Sequence, residues 1–186
     1  RRLYHDMNNH NLVMWKLAEK GEYERLHKYI GKLRPLEKDR HRQWTQNLIL
    51  DMILEYKLLA MEKKKILYEI KTDMIGEIAL ADKELCILLG NLLDNAIEAC
   101  EKLEEEKRMV KIEVRKHHSM FMLIVENSCE AHAQVRKGIF RTTKKDDRMH
   151  GYGIHNVRKT VKNRGGQFQY GSRGENFYVK ILIPLV

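Results

Sequence analysis

The chain has 186 residues, 43% of them hydrophobic and 33% charged, the balance of a packed globular protein rather than a disordered one. That length holds one large domain or two small ones. A formal charge of +9 raises nucleic-acid binding, but the basic residues scatter through Lys63, Lys64 and Lys65, Arg136 and Lys137, Lys144 and Lys145, and Arg158 and Lys159. They follow no single helix and carry no interleaved aromatics, so an acidic partner or a polyphosphate accounts for them equally well and nucleic acid is not an expected partner.

Apolar runs such as 48–50 and 181–183 are far too short to cross a bilayer. The start of the chain has no signal-peptide character, and a first residue other than Met implies an excised fragment. Cys86, Cys100 and Cys129 form no CxxC pair and no metal spacing with His, which predicts reduced thiols in a cytosolic setting.

Residues 1–65 read as helical. Leu3, Met7, Met14 and Leu17 recur at a spacing near 3.5, with His10 filling the gap. The stripe resumes out of phase at Leu26, Ile30 and Leu33, so Gly21 marks either a stutter or a break. Pro35 ends this arm. A second helix follows with Leu48, Ile49, Met52, Ile53, Tyr56, Leu59 and Ala60 on one broad face. Two such helices cannot bury their faces alone, which predicts a hairpin that joins a second copy in a four-helix bundle.

From residue 66 the pattern changes. Residues 66–71 alternate as a strand, and 82–104 form a long helix that starts at an Asp cap. Residues 110–114 and 121–125 are strands, 129–150 are a polar, basic stretch, and a helix runs from Gly153 to Asn163. Residues 167–170 and 177–183 close a hairpin around 172–175. The expected fold is therefore α+β: a helical hairpin over 1–65, then an α/β sandwich over 66–186.

Three chemical signals lie in the second region. Asn91 and Asn95 stand four apart, so both amides project from one helix face. Paired carboxamide oxygens suit a hard cation such as Mg²⁺; solvated helix surface is the plainer alternative. Gly151 and Gly153 flank Tyr152 before a helix start, where glycine admits close approach of phosphate or simply caps the helix. Between these lies a loop with Arg141, Thr142, Thr143, Lys144 and Lys145, long enough to be a lid or a solvated charged loop.

In order, these are an Asn box, a strand ending Glu126-Asn127-Ser128, a Thr-Thr-Lys loop and His150-Gly151-Tyr152-Gly153. Together they resemble the ATP-binding fold of histidine kinases, gyrase, Hsp90 chaperones and MutL. Residues 91–99, reading NLLDNAIEA, resemble most closely the peptide-receptor, quorum-sensing histidine kinases. Gly165, Gly166 and Pro184 also fit that family's closing segment.

The resemblance implies that Asn95 ligates Mg²⁺ beside Asn91, and that Thr142, Thr143 and Lys144 lie in a lid over ATP. Gly151 and Gly153 then line the triphosphate. Most histidine kinases have Asp-x-Gly where this chain has Asn127-Ser128, so Asn127 is the expected adenine reader through its amide oxygen.

His5-Asp6-Met7-Asn8-Asn9-His10 resembles the family's phosphoacceptor box. On a helical wheel with Leu3 at zero, Met7, Met14 and Leu17 fall within about 40°, whereas His5 sits at about 200°, away from the stripe. Asp6 can orient the imidazole tautomer and raise its basicity. Asn9 resembles the polar residue that in related kinases can position water for dephosphorylating a partner. Leu12 lies at about 180°, either as part of a docking face or as an incidental exposed side chain.

The activity implied is ATP-Mg²⁺-dependent autophosphorylation on His5, followed by transfer to an aspartate of a response-regulator receiver domain. The implied assembly is a homodimer, with the full-length protein held in the membrane through a preceding sensor region. Other expectations are a phosphotransfer scaffold or a non-kinase ATPase of the same fold. Such ATPases, serine kinases that inhibit sigma factors among them, lack a preceding hairpin with His-Asp at its start.

Overall fold

The structure is a computed structural model that describes residues 2–33, 43–130 and 152–185, with side chains from residue 9 in the first segment and from residue 153 in the last. It divides into two compact units, Arg1–Arg40 and His41–Val186. No helix among the described residues is long and apolar enough to cross a membrane.

The first unit holds α1 (Arg2–Glu19) and α2 (Tyr23–Leu33). Gly21 breaks the helix, with a φ of 68° that its missing Cβ permits. The chain turns back there, and His10 Nδ1 comes 2.8 Å from the Tyr29 hydroxyl. His10, Met14 and Leu17 are half-buried, as the stripe predicts, and Leu12 on the other side is 56% exposed.

The second unit opens with α3 (Leu48–Lys63) and β1 (Leu67–Thr72). Then come α4 (Asp82–Leu85), a π-helical turn (Cys86–Gly90) and α5 (Asn91–Cys100). A single 3-10 turn, Glu105–Lys107, leads into β2 (Met109–His117) and β3 (Met120–Ser128). The described chain ends with α6 (Tyr152–Asn163), β4 (Gln167–Arg173) and β5 (Asn176–Pro184). The sheet order is β1-β2-β3-β5-β4, with β1 parallel to β2 and the other pairs antiparallel. This is the expected α+β class.

Period-two alternation selects the covered face of the sheet. Val110, Ile112 and Val114 stand opposite Asn127, Val125 and Leu123. Val125, Leu123 and Phe121 in turn face Val179, Ile181 and Ile183, and all of these side chains are buried. Onto this face α5 lays Leu92, Leu93, Ala96, Ile97 and Cys100, and α6 lays Val157 and Val161.

Helix α3 departs from the expected hairpin. Leu50, Leu54, Leu58 and Met61 are at most 4% exposed and belong to the same core as the sheet. Meanwhile Leu48, Met52 and Tyr56, from the face that the spacing singled out, are exposed. The helix is apolar on more than one side, and burial selected the 50-54-58 row. Residues 43–65 thus stand with the sheet, where the spacing had put the boundary near 63–66, and the helix pair of the first unit is α1 with α2.

A buried polar knot fixes the start of α3. Thr45, fully buried, donates from its amide and hydroxyl to Asp51 Oδ1 (2.9 and 2.7 Å). Its carbonyl accepts from the amides of Ile75 and Gly76 (2.7 and 3.0 Å). Asn47 caps the helix through Leu50 N–H and donates to the Gly76 carbonyl.

Truncating α3 tests this packing. Leu54→Ala should lower the unfolding free energy by about 3 kcal/mol in chemical denaturation. Leu48→Ala, on the exposed row, should change it by less than about 0.5 kcal/mol.

Candidate functional site

Long-helix spacing across 82–104 is interrupted, and the interruption shapes the site. The helix does begin at residue 82, but Asp82 is its first residue rather than its cap. Glu84 supplies the cap instead, taking the Ala81 amide at 2.9 Å. Cys86–Gly90 then widen into a π turn, a form that concentrates at functional positions.

Asn91 follows immediately and donates from Nδ2 back into that turn, to the Ile87 carbonyl at 2.7 Å. Its Oδ1 therefore points the other way, toward the first turn of α6. A Cβ added at Gly153 would lie 2.8 Å from Asn91 Oδ1, closer than real contacts allow. The Asn helix and the glycine in the first turn of α6 thus meet so closely that a larger residue at 153 would have to displace the Asn91 amide.

Asn95 lies one turn on from Asn91 on the same face. It is exposed, whereas Asn91 is half-buried. Two neutral carboxamide oxygens on one helix face form a donor set of the kind that Mg²⁺ accepts, since it keeps most of its waters and needs few protein ligands. The residues present fit such an ion.

At the other end of α5, Cys100 Sγ reaches the carbonyls of Met109 (3.5 Å) and Ser128 (3.8 Å). Ser128 ends β3, so Asn127 sits beside the last turn of α5. The nine-residue step from Asn91 to Cys100 spans about 13 Å, the scale of an extended nucleotide. Asn127 is 5% exposed and lies between Val110 and Phe177 in the register. Its Nδ2 donates to the Ser128 carbonyl at 2.9 Å, leaving Oδ1 as the acceptor of the pair. A buried amide among apolar neighbours is costly unless its polar atoms are used. Burial raises the Cys100 and Cys129 thiols above their ordinary values, which keeps both protonated.

Of the sequence-predicted residues, the structure brings Asn91 and Gly153 together, keeps Asn95 one turn on from Asn91, and sets Asn127 beyond the far end of α5. Thr142, Thr143, Lys144 and Gly151 lie outside the described residues. His5 and Asp6 lie in α1, their side chains outside the described residues, and Asn9 is exposed on the same helix.

Sequence reasoning missed two charge contacts around the site. Lys57 of α3 pairs with Asp94, inside the Asn box. Arg164, just past α6, donates from Nε to Glu84 Oε1 at 2.8 Å and from Nη2 to Oε2, tying the end of α6 to the start of α4. No local spacing announces either contact, because the partners come from distant segments.

Residues 80–184 match the GHKL domain family. The match takes in more than half of the chain, which belongs to that family. Among solved structures, a nucleotide-free catalytic domain of the histidine kinase ThkA superposes with a TM-score of 0.60 at 22% identity, covering 75% of this chain and 91% of that one. The Acinetobacter baumannii histidine kinase AdeS gives 0.54 at 14% identity, over 97% and 98% of the two chains. The histidine kinase domain of the blue-light activated histidine kinase EL346 from Erythrobacter litoralis gives 0.54 at 14%, over 77% and 65%. At these identities the likeness establishes the fold, that of histidine-kinase catalytic domains. No curated protein matches the chain.

The Glu84–Arg164 pair carries a pH signature. Arg164 first, and the Ala81 amide after it, hold the Glu84 carboxyl below its ordinary value near 4.5, against partial burial that pushes it up. A depressed folded pKa contributes stability that is complete above the ordinary value and is lost as pH falls through the lowered one. Glu84→Gln should therefore lower the melting temperature at pH 7. That deficit should shrink steadily below about pH 4.5 in melts recorded across pH.

Proposed function

We propose that the chain is a kinase module of the histidine-kinase type, which binds ATP with Mg²⁺ and phosphorylates His5. The observation that carries this reading is the contact of Asn91 Oδ1 with Gly153. It places the Asn91 amide oxygen, one helical turn from Asn95, against a glycine in the first turn of a twelve-residue helix, whose first N–H groups favour anions.

In this reading Asn95 and Asn91 hold Mg²⁺, which offsets phosphate charge. Gly153, with Gly151, lets the backbone come close to the triphosphate. Asn127 accepts from the adenine amine through Oδ1. Thr142, Thr143 and Lys144 form part of the cover over the nucleotide.

The protein's work is positioning and charge neutralisation, because phosphoryl transfer asks for little covalent chemistry. One ring nitrogen of His5 forms a bond to the terminal phosphorus as the bond from that phosphorus to the bridging oxygen breaks, and ADP leaves. Asp6 accepts the N–H of the other ring nitrogen and so fixes the tautomer. The group then passes to an aspartate of a receiver domain, with Asn9 placing water when that partner is dephosphorylated. The α1–α2 unit supports a homodimer: Leu12, Val13, Trp15, Tyr23 and Ile30 are all exposed there, and a second copy can cover such apolar surface.

Incubation with γ-labelled ATP and Mg²⁺ should label the unaltered chain in an acid-labile form and leave His5→Ala unlabelled. Equal labelling of the two removes His5 from the mechanism. Gly153→Ala, by driving a methyl into Asn91 Oδ1, should weaken ATP binding about tenfold by calorimetry, and an unchanged affinity would count against the phosphate path drawn here.

A further inference from the structure

The proposed phosphate site stands on a helix without a single positive charge. Residues 91–100 carry Asp94 and Glu98 and no Lys, Arg or His. Asp94 is three residues from Asn91 and adjacent to Asn95, so its carboxylate shares the helix surface that would face the phosphates. Left alone, an anion there would oppose a polyphosphate.

It is not left alone. Lys57 of α3 places Nζ on Asp94 Oδ1, with its side chain 12% exposed against 57% for the aspartate. The lysine stem lies in an apolar groove beside Ile53, Tyr56 and Gly90, and its ammonium stands 5.2 Å from the Tyr56 ring centre. A cation so enclosed interacts more strongly with its partner than one in open water. Seven residues on, at the C-terminal caps of both helices, Lys64 pairs with Glu101 at 2.7 Å, so the contact repeats in register. Helix α3 lies before residue 80, where the family match begins.

Building on the nucleotide reading above, we propose that Lys57 is a positioning residue for the polyphosphate. By cancelling Asp94, it presents Asn91 and Asn95 to the phosphates on an electrically neutral stretch of helix. The lysine acts through the aspartate and does not touch the ligand. Helix α3 is therefore part of the electrostatics of the site although it lies outside the matched family segment.

The test uses the whole 186-residue chain, calorimetry with ATP in excess Mg²⁺, and adenosine titrations followed by NMR as the phosphate-free probe. Lys57→Met should weaken ATP binding about fivefold, the repulsion expected from one uncompensated carboxylate across a partly solvated surface, with adenosine binding unchanged. Adding Asp94→Asn to that variant should restore ATP affinity to within about twofold of the original. Lys64→Met, which breaks the same kind of pair farther along α5, should leave ATP affinity unchanged.

Equal ATP affinity for Lys57→Met and the unaltered chain overturns the inference, as does a double variant that stays weak. If Lys57→Met does not fold, Asp94→Asn alone decides. ATP affinity equal to or above that of the unaltered chain supports the inference, and a loss overturns it. No ATP binding by the unaltered chain would sink the nucleotide reading and this inference with it, whereas binding indifferent to residue 57 sinks this inference alone.

Discussion

The approach of Gly153 to Asn91 Oδ1 is the constraint around which the second unit is organised. It requires α5 and α6 to meet at their N-terminal ends, which the sheet arranges by carrying α5 over β2 and β3 and α6 over β4 and β5. It also requires the Asn91 amide to have one orientation. The Ile87 carbonyl supplies that by taking Nδ2, and the π turn places this carbonyl where the amide can reach it. Glycine at 166 serves the same geometry at the other end of α6. A Cβ there would sit 2.5 Å from the Leu182 carbonyl, so the chain leaving α6 can run tight against β5.

Around that contact the protein spends charge economically. Glu84 and Arg164 join the start of α4 to the end of α6, bracketing the two helices that form the contact. Lys57 and Lys64 join α3 to α5. Most of these side chains are partly exposed, so each pair contributes modestly to stability. What they add is register: two lysines seven apart against two acids seven apart fix how α3 lies along α5. Beneath them Leu50, Leu54, Leu58 and Met61 supply the larger, non-directional burial energy.

Helix α3 also shows where sequence spacing runs out. Its apolar residues cover most of its circumference, so periodicity marks a helix but not which side is inward. Leu48, Met52 and Tyr56 make as regular a row as Leu50, Leu54 and Leu58, and the deciding term was shape complementarity with a core assembled from segments far along the chain. The break at Gly21 was likewise one of two legible options. It became a break because α2 can turn back and set Tyr29 against His10. The strands, by contrast, followed directly from alternation, since a sheet covered on one side demands it.

By itself, the sequence determined the class of fold, the strands of the second region, the Asn91–Asn95 pair and the glycine that faces it. Each of these is encoded locally, by period, spacing or the absence of a side chain. Tertiary structure alone decided that α3 belongs with the sheet, that Asn91 turns its oxygen to Gly153, that Asn127 is buried, and that Lys57 answers Asp94. Those outcomes depend on which distant surfaces meet. Burial and charge pairing are properties of the meeting surfaces, and neither is written in the neighbours of any one residue.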